Sequence, residues 1–195
     1  LNHNTTSPEP VARTLELGAV RLRPLCPADA APLFDHLRDP RVTVQTSFPE
    51  VTPALAEAMV ARATARWAAR EPGRWALARV DDDRLIGTCG FNDYSRDHRF
   101  AELAYDLAPE FWGRGLMSQA VAAAVRWAFD EDVVDRIQAF VRVDNARSVH
   151  VLARAGFTRE GCLRAFRLCR GQRFDFFLYG RLRADAPDAG GGTPG

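Results

Sequence analysis

Three short stretches carry groups suited to holding an anion or moving a proton. In PEFWGRGLMSQAV, from Pro109, Gly113 and Gly115 flank Arg114 just where a helical pattern begins. The first N–H groups of a helix have no internal partner and sit at the positive end of its dipole, so an anion that reaches them is held. Glycine permits that approach, here to the backbone of Leu116, Met117 and Ser118. A plain tight turn accounts for the same glycines. In FAELAYDL, from Phe100, Glu102 stands mid-strand in an apolar run, the place of either a proton acceptor or a charge on an open sheet face; Asp93 and Asp106 are weaker acceptors. In DNARSVHVLARAGF, from Asp144, Asn145 can cap a helix whose first turn carries Ser148, with Val149, Leu152 and Ala153 on the packing face. Ser148 then points away from the core, and with Asn145 it also reads as an ordinary N-terminal cap.

The elements that position these groups follow from the periodicity. AVRLRPL, from Ala19, alternates like a strand, and PADAAPLFDHLRD opens a helix with Ala31, Phe34 and Leu37 on one face. TPALAEAMVARATARWAAR, from Thr52, begins with a cap and a first-turn proline, and Leu55, Met59, Ala63 and Trp67 share a face. RWALARV, RLIGTCGF and RFAELAYDL read as three antiparallel strands, with DDDR, from Asp81, as a turn. A helix from about Leu116, a strand from Arg136, a helix over Ala146–Ala155 closed by Gly156 and a hairpin turning at Gly171 complete the order β-α-α-β-β-β-α-β-α-β-β.

Composition limits the functions. The chain has 195 residues, 47% of them hydrophobic, enough for one domain with its own core. Residues 14–183 are expected to fold, with residues 1–13 and 184–195 as disordered tails. A net charge of +1 gives no overall field for nucleic acid or an anionic membrane. The apolar runs are too short to span a bilayer and no leader opens the chain, so a cytoplasmic protein is expected. Cys26, Cys89, Cys162 and Cys169 and the four histidines lack ligand spacing; buried free thiols and no metal are expected. GRGLMS is one substitution from a dinucleotide fingerprint, with Ser118 in place of Gly or Ala, but that fingerprint belongs to a parallel βαβ unit and the three preceding strands form an antiparallel meander.

With this element order and the segments AELAYDLAPEFWGRGLMSQAV, VRVDNARSVHVLARAGF and REGCLRAFRLCRGQRFDFFLYGRL, the chain resembles the general N-acetyltransferase (GNAT) superfamily, and within it the ribosomal-protein N-acetyltransferase (RimJ/RimL-type) branch. The resemblance covers roughly residues 14–183. It implies an α/β (α+β) fold, a mixed and mostly antiparallel sheet flanked by about four helices, with a V-shaped splay between the fourth and fifth strands. Acetyl-CoA is the implied acyl donor, its pyrophosphate held by the backbone at Gly113, Gly115, Leu116, Met117 and Ser118. The family's motif begins with Gln or Arg where this chain has Glu110, which is therefore expected to face solvent, with Arg114 supplying the local positive charge. Glu102 is implied as general base, useful because an α-amino group of pKa about 8 or a lysine of about 10.4 arrives protonated. Asn145 is implied to contact the pantetheine arm and Ser148 to act near the thiol. A backbone N–H around Tyr105, Asp106 and Leu107 is implied as the oxyanion donor.

The implied acceptor is a primary amine: a protein N-terminus, or in the same fold a small amine or antibiotic, with a longer acyl group such as succinyl as a variant. Trp67, Trp75, Phe166, Phe174, Phe176 and Phe177 lie on elements that read the acceptor, though most are expected in the core. A non-catalytic coenzyme A-binding module is the rival of another class. Edge strands of the family often pair, so a homodimer is the assembly to test. Direct transfer is expected, since Cys89 or Cys162 would need a neighbouring base to carry the acyl group.

Overall fold

A computed structural model describes residues 12–185. The expected tails lie outside the described residues except for residues 12–13 and 184–185. Ala12 packs on the core, the Arg13 carbonyl accepts a hydrogen bond from Trp75 Nε1 at 3.0 Å, and Arg183–Asp185 form a 3-10 turn.

The elements are β1 (Leu15–Glu16), β2 (Val20–Pro24), α1 (Ala30–Leu37), α2 (Pro40–Thr43), α3 (Pro53–Ala68), β3 (Arg74–Arg79), β4 (Leu85–Ser95), β5 (Phe100–Leu107), α4 (Leu116–Asp130), β6 (Arg136–Arg142), α5 (Ala146–Arg154), β7 (Thr158–Cys169) and β8 (Gln172–Leu182). This is the order read from the sequence, with the two-residue β1 and the single-turn α2 added. Neither is long enough to show a period. One eight-stranded sheet runs β1-β2-β3-β4-β5-β6-β8-β7. All its pairings are antiparallel except β5 with β6.

That one parallel pair opens the sheet. β5 and β6 are in register only at Phe100–Arg136, Ala101–Ile137 and Glu102–Gln138, and beyond Glu102 they diverge. The splay is the expected one, between the fifth and sixth strands once β1 is counted. A bulge in β4, where the register to β5 slips between Phe91 and Asp93, bends the neighbouring strand pair as a bulge does. Arg62 and Arg66 of α3 both donate to the Asn92 carbonyl at this bulge, at 2.8 and 2.9 Å.

Alternation along the strands assigns the two faces. Trp75 and Leu77 of β3 join α4 and Leu152 of α5 in the larger core, whereas Ala76 between them joins Leu33 and Leu37 of α1 and Val60 of α3. Trp75 is the hub of the larger core, with ring centroids 4.7 Å from Trp67 and 5.0 Å from Trp127. The helix faces agree with those expected only in part: Leu37, Ala63, Trp67 and Leu152 are buried as read, but the stripes are centred elsewhere. α1 buries Leu33, His36 and Leu37 and leaves Ala31 exposed; α3 buries Ala56, Val60, Ala63 and Trp67, with Leu55 and Met59 half-buried; α5 exposes Ala153. Small residues pack closely against a sheet, so hydrophobicity alone does not locate the centre of a stripe. The four cysteines are free, Cys89 and Cys169 buried but Cys26 and Cys162 exposed, which corrects the expectation of four buried thiols. Among the described residues no helix is long and apolar enough to cross a membrane.

Candidate active site

The glycine turn lies at the end of β5 and opens α4. Trp112 fixes it to the strand, its Nε1 donating to the Leu107 carbonyl at 2.8 Å, while the Arg147 guanidinium stacks 3.8 Å over the Trp112 ring. Gly113 and Gly115 have φ of 75° and 74°, left-handed values that disfavour any β-carbon. A Cβ placed on either would meet nothing within 4 Å, so the backbone borders open space. Gly115 caps α4 and accepts the first helical bond from Gln119, leaving the N–H groups of Leu116, Met117 and Ser118 without a partner in the helix. All five residues line a groove of about 590 Å³.

Arg114, between the two glycines, does not line that groove. Its guanidinium lies 5.3 Å from the Phe111 ring, and the positive charge at the groove comes instead from Arg41, Arg147 and Arg154. The sequence did not single out these three, since they lie on α2 and α5 and only folding brings them to the turn. Glu110 faces solvent as expected, exposed and 3.5 Å from Arg84. Gly115→Val puts a branched side chain at a positive φ and fills the open space. We expect coenzyme A affinity to fall at least about tenfold, from strain of ~1–3 kcal/mol and the lost approach; unchanged affinity by calorimetry would refute the anion site.

Tyr105 and Ser148 meet where the V opens. Their hydroxyls lie 2.6 Å apart, and the Tyr105 hydroxyl also donates to the Ser148 carbonyl at 3.2 Å. Asn145 caps α5 by accepting from the Ser148 N–H at 3.1 Å, as read from the sequence. Burial pushes the Tyr105 hydroxyl well above its ordinary pKa, the Ser148 hydrogen bond offsetting only part, so it stays a proton donor at neutral pH. Tyr105 was expected to contribute only its backbone; its side chain is an addition that folding supplies.

A second cavity, of about 130 Å³, meets the groove at this pair. It is lined by Glu102, Arg167, Phe140 and Phe176, and it shares Tyr105, Asp106, Asn145, Ser148, Gln45 and Thr46 with the groove. Glu102 and Ser148, distant in sequence, therefore border one space. The side chain of Glu102 is 16% exposed and accepts a hydrogen bond from Arg167 Nη2 at 3.2 Å. Asp93 is exposed and bonded to the backbone N–H of Tyr94, outside this lining. Residues 43–48 roof the junction and are tied down across the V. Arg142 Nη1 donates to the Val44 carbonyl at 2.9 Å, Gln45 Nε2 to the Asp144 carbonyl at 3.2 Å and Arg170 Nη2 to Thr43 Oγ1 at 3.1 Å.

Asp106 cannot serve as a base that touches substrate, which corrects the weaker alternative drawn from the sequence. Its side chain is buried and accepts from four donors: His36 Nε2 at 2.7 Å, Arg74 Nη2 at 2.9 Å, and Thr88 through N–H at 3.0 Å and Oγ1 at 2.6 Å. Burial alone would push this carboxyl up, but the His36 hydrogen bond, the charges of His36 and Arg74 and the Thr88 hydroxyl together hold it below the ordinary carboxylate range. The network joins α1, β3, β4 and β5 beside Tyr105, Asp106 and Leu107, which all line the groove. A covalent cysteine is also disfavoured at Cys89, whose buried thiol is pushed up to about 12 by burial. Among the described residues no three His, Cys, Asp or Glu side chains converge as a metal site would require.

Comparison with known proteins matches residues 19–158 to the family described as acetyltransferase (GNAT) domain. The chain is 30% identical over 175 residues to the uncharacterized N-acetyltransferase p20 of Bacillus licheniformis, covering 88% of this chain and 97% of that protein. It is 34% identical over 101 residues to the ribosomal-protein-serine acetyltransferase of Escherichia coli K12, where the match spans 52% of this chain and 56% of the relative. The solved structure of RimL, the ribosomal L7/L12 α-N-protein acetyltransferase in complex with coenzyme A, superposes with a TM-score of 0.80 at 21% identity, over 87% of this chain and 98% of that one.

Proposed function

Because the chain belongs to the acetyltransferase (GNAT) family, we propose that it transfers an acetyl group from acetyl-coenzyme A directly to a primary amine, with a protein N-terminal α-amino group as the preferred acceptor. The observation that carries this reading is the meeting of two cavities at the Tyr105–Ser148 pair, one ending on a helix N-terminus and the other on a carboxylate. The groove fits an acyl-coenzyme A: glycine backbone and unpaired N–H groups for a pyrophosphate, flanking arginines, and the free edge of β5 for an extended arm. The coenzyme supplies the acetyl thioester.

The protein's own groups divide the remaining work. Glu102 accepts the proton that an ammonium must lose before its lone pair can attack. β5 stays paired with β4 beyond Glu102, so only alternate backbone N–H groups of β5 face the splay, and these are suited to an oxygen that gains negative charge. The Ser148 hydroxyl, backed by Tyr105, offers a proton to the departing sulfur. Ser148→Ala is expected to slow transfer about 10²-fold with coenzyme affinity retained; a normal rate would leave Ser148 as a helix cap alone.

The peptide acceptor is favoured over a small amine by a third cavity of about 720 Å³ that adjoins the Glu102 cavity at Ser47 and Phe48. One amino group fits the small space and the chain behind it has a groove to lie in. The names of relatives that act on ribosomal proteins point the same way. The test is thiol release from acetyl-CoA with peptides beginning Ser, Ala or Met, beside polyamines and aminoglycosides. Release with a peptide supports the reading; release only with small amines replaces the acceptor, and coenzyme binding without turnover across the panel would favour a binding module.

A further inference from the structure

The cavity beside Glu102 already holds a cation. Arg167 follows a slip in the β7–β8 register between Leu163 and Arg167, where Ala165 takes a φ of 50°. Its Cζ lies 4.9 Å from the ring centroid of Phe140, 5.3 Å from Phe166 and 5.6 Å from Phe176. Three aromatic rings with one carboxylate are the groups that recognise an organic cation. Arg167 is loosely held. Its bond to Glu102, at 3.2 Å, is its one hydrogen bond among the described residues, and its side chain is 30% exposed. Arg142 on β6 shows the contrast, bonded to both oxygens of Asp144 at 2.6 Å, to the Val44 carbonyl at 2.9 Å, and only 10% exposed.

We propose that Glu102 with Phe140, Phe166 and Phe176 forms the recognition site for the acceptor's ammonium group, and that Arg167 is a tethered occupant which the acceptor must displace. This rests on the reading of Glu102 as the group facing the acceptor, and adds how that acceptor is selected. The cavity of about 130 Å³ is also lined by Arg74 and Arg142, but these are paired with Asp106 and Asp144, so Glu102 is the carboxylate left for one further cation, and an ammonium and the Arg167 guanidinium there would repel. An arriving ammonium therefore takes the rings and the carboxylate while the guanidinium swings out along the exposed hairpin. The ammonium N–H bond then breaks, its proton passing to a Glu102 oxygen and its electron pair staying on nitrogen, which faces Tyr105 and Ser148. Heads without positive charge cannot compete with a guanidinium tethered at an effective concentration of order millimolar.

Binding of ethylammonium, measured by calorimetry without any acetyl donor, tests the site independently of turnover. We expect Arg167→Met, which keeps a stem on the rings, and Arg167→Ala each to bind it about tenfold more tightly than the parent protein, as loss of a tethered competitor predicts. The gain should disappear in the Arg167→Met/Glu102→Gln double variant. Equal affinity in the parent and both single variants would overturn the proposal, even if acetyl transfer is established; the gain would stand even if acetyl transfer were not found. In turnover with an acceptor from the panel, Arg167→Met should lower the acceptor KM several-fold, as removal of a competitor does. A raised KM would instead make Arg167 a holder of the acceptor and would equally overturn the displacement.

Discussion

Glu102→Gln should slow acetyl transfer by about 10²–10⁴-fold, the usual span for a positioned general base, while coenzyme A affinity stays within about twofold. The reason is geometric. Glu102 lines the small cavity and not the groove with the glycine turn, so glutamine removes a proton acceptor and leaves the coenzyme's contacts in place. The substitution is nearly isosteric and can still accept from Arg167, so the fold around β5 should be kept. Single-turnover rates with preformed acetyl-CoA complex separate the two effects. A rate within threefold of the parent protein would remove Glu102 as the base and leave its cavity as an acceptor site only.

Asp106→Asn is expected to destabilise the fold by about 3–5 kcal/mol, the cost of stripping one partner from a buried ion pair. Arg74, 9% exposed, would keep its charge and lose its carboxylate. The amide can also not accept from His36, Arg74 and Thr88 through two equivalent oxygens. The sign of the pH effect follows from the lowered folded pKa. The unfolded carboxyl, near about 3.9, binds its proton first as pH falls, so the stabilisation is complete above that value and is lost as pH drops through the lower folded pKa. Urea unfolding across this acid limb should show a shallower loss in the variant than in the parent. Parent-like stability at neutral pH would mean that the network contributes little; equal acid slopes would mean that Asp106 does not titrate in this way.

The sequence by itself determined the order of the longer elements and the three stretches that carry the site. These are local matters. Gly113 and Gly115 are legible because a positive φ at a helix start needs glycine, and Asn145 because an amide three residues ahead of a first-turn N–H makes a cap. Glu102 stood out as a charge in an apolar strand, and Asp106 in the same run was the weaker alternative. Nothing in FAELAYDL separates the two roles, because a strand places both on one face and the neighbours that differ come from elsewhere in the chain. Tertiary structure decided between them: His36, Arg74 and Thr88 enclose Asp106, while the divergence of β5 from β6 leaves Glu102 facing a cavity. The same divergence brings the Tyr105 hydroxyl to Ser148 across 43 positions and Arg167 to Glu102 across 65. Contacts of that separation depend on which strands pair, and where pairing stops, which no local pattern of residues encodes.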